Sequence, residues 1–364
     1  MGEPSPLQVD VSASRYQAMI GVGGIGSGTF FALSGNHTLG REESRGGRFL
    51  DRRDYCKLHI VSHYVKTLLG PDFCTIPIGL VGDDEVGRRL VDEMVDAGLE
   101  MSYVKRSSGD QTLFSFCFVY PDAGGGNLTT DDSACGKVDA VYVALAEPEF
   151  ARYTACGLAL AVPEVPLEAR EKLLQLGTQY GFYRVASFAA EEVSAAIDMG
   201  MLQHTDLLAL NVDEAAAAAG LSLDTLPESN YAFEAAKTAV EGLRGKNPDL
   251  LISITAGKNG SWSWDGEELV HVPAFQAEVV STAGAGDAHL AGIIAGLVAG
   301  LTLPQAQELG TLVAAHSVTS PHTIDKRINR RTLQSFADKS QAPICDVVKN
   351  LFVSQRVQRT SFLP

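Results

Sequence analysis

The chain has 364 residues, 45% of them apolar and 20% charged, with 29 Lys and Arg set against 44 Asp and Glu. This composition supports a sizeable core and excludes a chain disordered throughout. The net charge of −15 argues against a general binder of nucleic acid or anionic membrane, since either needs a concentrated positive field. No apolar run reaches the roughly 18 residues of a membrane span. The polar start MGEPSPLQVDVSASR lacks the apolar stretch of a secretory signal. Six cysteines (56, 74, 117, 135, 156, 345) are scattered without a CxxC pair. Reduced thiols and a cytoplasmic protein, with no membrane or nucleic-acid partner, are therefore expected.

In chain order, short apolar runs predict strands at 16–22, 74–81, 113–120, 140–145, 158–162, 182–186, 207–210 and 250–255. Residues 23–47 hold eight glycines and little apolar periodicity; they read as a long irregular segment of the kind that is functional or mobile. A helix is expected over 84–98, where Val86, Leu90, Val91, Met94 and Val95 share one face and Gly98 stops it. Further helices are expected at 167–180, 190–200, 212–220, 231–244, 287–300 and 304–318. Such alternation predicts a mostly parallel sheet covered on both faces. Residues 338–364 carry no legible motif and read as a terminal appendage.

The most informative segment is Ser281-Thr-Ala-Gly-Ala-Gly-Asp287, followed by AHLAGIIAGLVAG. Small residues admit a ligand close to the backbone, and the apolar run reads as a buried helix. Gly284, Ala285 and Gly286 would then offer amides at the positive end of that helix, where a phosphate is favoured. Asp287 would sit on the first turn, aimed at the same place. A plain glycine-rich helix start with an acidic first turn has the same pattern.

STAGAGDAHLAG resembles the C-terminal signature of the ribokinase-like (PfkB) carbohydrate kinases, usually written DTxGAGD. The resemblance implies a three-layer α/β/α fold with a mostly parallel central sheet and a small β lid. It also implies an ATP-dependent kinase acting with Mg2+ on a hydroxyl of a sugar or sugar-like small molecule. In that family the final aspartate is the general base and the amides before it form an anion hole, roles that suit phosphoryl transfer. Four further segments agree, in order. Gly79-Leu-Val-Gly-Asp-Asp-Glu-Val-Gly87 resembles GxVGDDxxG, a capped turn. Pro163-Glu-Val-Pro166 resembles a segment whose glutamate, here Glu164, can face the acceptor. Asn211-Val-Asp-Glu214 matches NxxE, which organises magnesium and phosphates, and Thr255-Ala-Gly257 matches the TxG bordering the nucleotide. All lie at C-terminal ends of predicted strands, where open α/β sheets bind ligands. The implied domain covers 1–337, with lid insertions at about 29–50 and 110–130, the latter including the GGGN of 124–127. Family members often pair their lids, so a homodimer through the lid is implied as well.

The resemblance runs from about residue 74 to 336 and is poor before it. Gly26, Ser27 and Gly28 stand where the family usually has an acidic acceptor-binding residue, and the GGxxxN signature is not legible. Ser281 replaces an aspartate that in many members helps hold a monovalent cation, which leaves cation activation open. Asp54, Lys57 and His59, at the start of an expected helix, are candidates for a rebuilt acceptor site. Cys56, His59 and His63 fall at metal-ligand spacing on one helical face, though such a stripe is more often packing; no directly ligated metal is expected beyond magnesium near Asn211 and Glu214. Lys57 and arginines 41, 45, 48, 52 and 53 are candidates for binding phosphate or carboxylate, with a solvated basic face as the plainer reading. Two alternatives remain from other classes. One is a non-catalytic sensor on the same fold; the other is an NAD-dependent oxidoreductase using Gly21-Val-Gly-Gly-Ile-Gly26, which fits GxGxxG.

Overall fold

Apolar strands alternating with amphipathic helices build a nine-stranded sheet in the computed structural model, which describes residues 5–122, 125–221 and 230–353. The strands are β1 (Ala18–Val22), β2 (Gly26–Leu33), β3 (Gly47–Tyr55), β4 (Cys74–Gly82), β5 (Tyr103–Ser107), β6 (Leu113–Val119), β7 (Gly125–Thr129), β8 (Gly157–Ala161), β9 (Tyr183–Ala186), β10 (Leu207–Asn211), β11 (Leu251–Thr255), β12 (Ser261–Trp264) and β13 (Leu269–Val272). The main sheet runs β13-β12-β11-β10-β9-β8-β1-β4-β5. From β11 to β5 all pairings are parallel, and β12 and β13 close one edge as antiparallel ribbons.

Helices cover both faces: α1 (Lys57–Leu69), α2 (Glu85–Asp96), α3 (Ala140–Ala144), α4 (Glu147–Arg152), α5 (Leu167–Gln179), α6 (Val193–Asp198), α7 (Val212–Ala219), α8 (Tyr231–Arg244), α9 (Ala285–Val298), α10 (Leu303–Ser317), α11 (Arg330–Ser340) and α12 (Asp346–Asn350). Strand alternation divides the core in two. Met19 of β1 joins a cluster with Leu58, Leu90, Leu290 and Leu312, whereas Ile20 and Val22 join Leu173, Val193 and Val240 on the opposite face. This is the ribokinase-like α/β architecture the motifs imply. Among the described residues no helix is long and apolar enough to cross a membrane.

A second sheet, β3-β2-β6-β7, forms the small lid. It corrects the expectation of an irregular 23–47 segment. β2 pairs parallel with β6 and antiparallel with β3, and backbone pairing there needs no apolar periodicity. The lid is anchored by the GDD turn. Asp84 caps α2 by accepting the Gly87 amide at 2.7 Å, and it also accepts the amide and hydroxyl of Thr112 at 2.7 Å each, just before β6. Of the GGGN stretch, residue 124 lies outside the described residues and β7 takes the rest.

Two further readings change. Residues 140–145 form α3 rather than a strand, because Asp139 accepts the Tyr142 amide at 2.7 Å and nucleates a turn; Val141 and Leu145 then face solvent. Through Val353, the 338–364 stretch is packed rather than appended. Val348, Leu351 and Phe352 enter the same cluster as Leu7, and Gln8 donates to the Leu351 carbonyl at 2.8 Å.

Candidate functional site

The C-terminal ends of β1, β8, β10 and β11 open into one cleft together with the start of α9. At the end of β10, Asn211 Oδ1 accepts the Glu214 amide at 2.9 Å, and Glu214 Oε2 accepts the Asn211 amide at 2.7 Å. NxxE is thus a capping box that starts α7. Its second carboxylate oxygen serves another partner: Glu214 Oε1 lies 3.5 Å from Lys57 Nζ. The parallel register sets Asn211 beside Thr255. Thr255 Oγ1 in turn lies 3.9 Å from where a Cβ on Gly286 would stand. Gly257, just past β11, has φ +53.

Gly284 caps α9 with φ +76, and a Cβ there would come within 2.9 Å of the Thr323 carbonyl oxygen. Only glycine meets both conditions. The Ala285 amide is committed to the Thr282 carbonyl at 3.2 Å, and that of Ala288 to Gly284 at 2.9 Å. Among the described residues the amides of Gly284, Gly286 and Asp287 have no such acceptor. The open donors at this helix end are therefore 284, 286 and 287, instead of the expected 284–286.

Asp287 stands on the first turn of α9, partly open to the cleft. Burial pushes its carboxyl up to about 6; Lys57 pulls it down, and Glu214 and Asp54 push it up. Glu164 is pushed up to about 7, again by burial first, with Lys57 pulling against it and Asp287 reinforcing it. It accepts the Lys57 amide at 3.2 Å. Burial works against the Lys57 ammonium, but the carboxylates of Asp287, Glu214 and Glu164 outweigh it and hold its pKa above the ordinary value. One cation thus serves three carboxylates.

Glu164 has φ +77, a strained conformation for a residue with a side chain. Gly24 makes room for it, since a Cβ there would come within 2.4 Å of Glu164 Oε2. The Gly21–Gly26 motif is thereby accounted for by close packing. It leads into β2, not into a helix whose end could receive a pyrophosphate, and this contradicts the oxidoreductase alternative.

Among the acceptor candidates, Asp54 lies on the lid strand β3 opposite Gly28 and accepts a bond from the Cys117 thiol at 3.4 Å. Burial raises its pKa. His59 does not join it. The ring is 1% exposed and packs edge-on against Tyr55 at 4.8 Å, and burial lowers its pKa. Sequence reasoning missed Thr323. Its amide donates to the Arg53 carbonyl at 3.1 Å, and its hydroxyl accepts the Tyr55 amide at 3.0 Å. It therefore ties β3 to the wall of the Gly284 turn. No local motif marks a contact between residues so far apart in the chain.

Over residues 64–329 the sequence matches the family described as pfkB family carbohydrate kinase. It is 36% identical over 99 residues to fructoselysine 6-kinase of Shigella flexneri, covering 26% of this chain and 38% of that protein. The chain therefore spans well under two thirds of that relative's length. To ribokinase of Schizosaccharomyces pombe it is 26% identical over 243 residues, covering 66% of this chain and 72% of the relative. Ribokinase from Cryptococcus neoformans var. grubii serotype A, solved in complex with ADP, superposes with a TM-score of 0.71 at 17% identity, covering 88% of this chain and 99% of the other. That likeness concerns the fold.

Proposed function

The chain belongs to the pfkB family of carbohydrate kinases, and on that premise we propose that it transfers the γ-phosphate of ATP to a hydroxyl of a sugar or sugar-like small molecule. The observation that carries this reading is a half-buried carboxylate, Asp287, on the same helical turn as three open amides, those of Gly284, Gly286 and Asp287. A pure binding protein has no use for a base beside an anion site; phosphoryl transfer needs both.

In this reading Asp287 accepts the proton of the acceptor hydroxyl as that oxygen attacks the phosphorus, and the three amides hold the oxygens of the transferring group. Lys57 keeps Asp287 ionised near neutral pH. Glu164, fixed by the Lys57 amide, orients the acceptor, and Asp54 binds it from the lid. Thr255 and Gly257 border the nucleotide. The polar, acidic end formed by Asn211 and Glu214 suits magnesium held through water, which when bound supplies neutralising charge to the phosphates. The lid excludes water that would compete as acceptor. On its other face Phe31, Phe49 and Phe116 cluster at 5.1–6.4 Å, with Phe49 67% exposed. We assign that face to pairing with a second copy.

The test is ADP release from Mg-ATP across sugars, sugar acids, sugar phosphates and nucleosides, with Asp287→Asn as control. The variant should lose at least ~100-fold in kcat, as expected on losing a general base. Turnover within a few-fold of wild type would sink the assignment.

A further inference from the structure

Five arginines lie between residues 41 and 53, and the structure separates them. Arg45 pairs with Glu43 at 2.6 Å and donates to the His37 carbonyl. Arg53 pairs with Glu93 at 3.2 Å. Arg41 and Arg48 are exposed. Arg52 differs from all of them. It is half-buried, its guanidinium lies over the Phe30 ring at 6.0 Å, and it has no hydrogen bond or ion pair among the described residues.

The backbone puts it there. β2–β3 pairing steps from Thr29 with Arg53 directly to Phe30 with Leu50, so Asp51 and Arg52 are extra residues in a bulge. Bulges bend a strand and re-aim its side chains. Phe30 and Gly28 are two apart on β2 and share one face of the lid. Gly28 is the residue against which Asp54 sits, with its carboxylate 2.9 Å from where a Cβ would be. Arg52 therefore lies on the lid face that carries Asp54, about 7 Å farther along the strand.

Resting on the kinase reading above, we infer that Arg52 recognises an oxyanion, a carboxylate or a phosphate, carried by the acceptor at the end remote from the hydroxyl that is phosphorylated. A guanidinium laid on an aromatic ring keeps its N–H edges free and is weakly hydrated, so it is ready for a bidentate pair. Lys57, the cation beside the reacting end, is already surrounded by Asp287, Glu214 and Glu164, and Arg89 is engaged by the Ser27 hydroxyl at 2.9 Å. That leaves the reacting end acidic and places anion recognition at Arg52.

The experiment compares acceptors differing only in the anion: a hexose, its 6-phosphate and the corresponding hexonate. ADP release is measured with wild type, Arg52→Gln, Arg52→Lys and, as control, Arg41→Gln. Wild type should favour one anionic member over the neutral hexose by about ten-fold or more in kcat/KM, the worth of one good charge-assisted pair. Which member is favoured separates carboxylate from phosphate. Arg52→Gln should collapse that ratio, Arg52→Lys should restore part of it, and Arg41→Gln should leave it intact. A wild-type preference for the neutral hexose, or an unchanged ratio in Arg52→Gln, overturns the inference. If no acceptor is turned over, the kinase reading fails separately and Arg52 is judged by heat stability. Protection of wild type by the 6-phosphate or the hexonate alone, lost in Arg52→Gln, supports it; no protection overturns it.

Discussion

Lys57→Met removes the cation shared by three carboxylates while keeping most of the apolar stem. The 3.5 Å separation from Glu214 is worth about 5 kcal/mol at an effective dielectric of about 20. Asp287 acts on Lys57 at least as strongly as Glu214 does. The Lys57 side chain is 28% exposed, and screening by water reduces the figure to about 2 kcal/mol, or roughly 1.5 pH units on Asp287. Asp287 sits at about 6 with Lys57 in place, so the variant's value moves to roughly 7.5. The assay is kcat for ADP formation against pH. In wild type the rate should rise about ten-fold per unit below roughly pH 6 and level off above it, as for an ionised base. The variant's acid limb should move up by roughly 1.5 units, costing about eight-fold near pH 6.5 and little above roughly pH 8.5. An acid limb that stays in place would refute the coupling. A loss equal at every pH would instead mean that Lys57 acts on the phosphoryl group itself.

Glu164, raised to about 7 when folded, binds its proton more tightly than in the unfolded chain. Its stabilising contribution is complete below the unfolded value and is lost as pH rises through about 7. Glu164→Gln should therefore be more stable than wild type by about 2 kcal/mol near pH 8 and equal to it near pH 4 in urea unfolding; a difference independent of pH would contradict this. Gly284→Ala must place a side chain at φ +76 and within 2.9 Å of Thr323, costing about 2–4 kcal/mol or a shifted turn. On the kinase reading it should reduce kcat at least ~10-fold with its circular dichroism intact, because that reading assigns the amide array to charge in the transition state. Near-normal turnover would remove these amides from the mechanism.

What could be read from sequence divides along physical lines. Buried parallel strands such as β1, with every residue covered, appear as continuous apolar runs. The cleft residues sit at their ends in recognisable order. The lid was implied by the family resemblance, but its strands β2 and β3 could not be read from the residue pattern, because GRFLDRRDY is a mostly solvent-facing edge strand held by backbone bonds to β2. α3 misled because AVYVA has strand-like residues, yet an Asp139 cap outweighs propensity over five residues. Asp287, Glu214 and Lys57 were each nameable from sequence, but their sharing of one charge was not, since α1, α7 and α9 meet only in the fold. Thr323 and the bulge at Arg52 carry no pattern at all, and His59 misled because burial cannot be read from helical spacing alone.

Thr323 has a mechanical consequence. Its hydroxyl and amide are stitched to both sides of Asp54 on β3, while its own carbonyl and Cβ wall the Gly284 turn. The lid strand cannot swing as an independent flap, because its root is tied to the segment that walls the Gly284 turn, with the Arg53 amide also donating to His322 Nδ1 at 3.0 Å. A ligand that draws the lid down must press on the start of α9, and one bound at that helix end must stiffen the lid. On the kinase reading, His322 and Thr323 together would couple the position of the lid to what is bound at the start of α9.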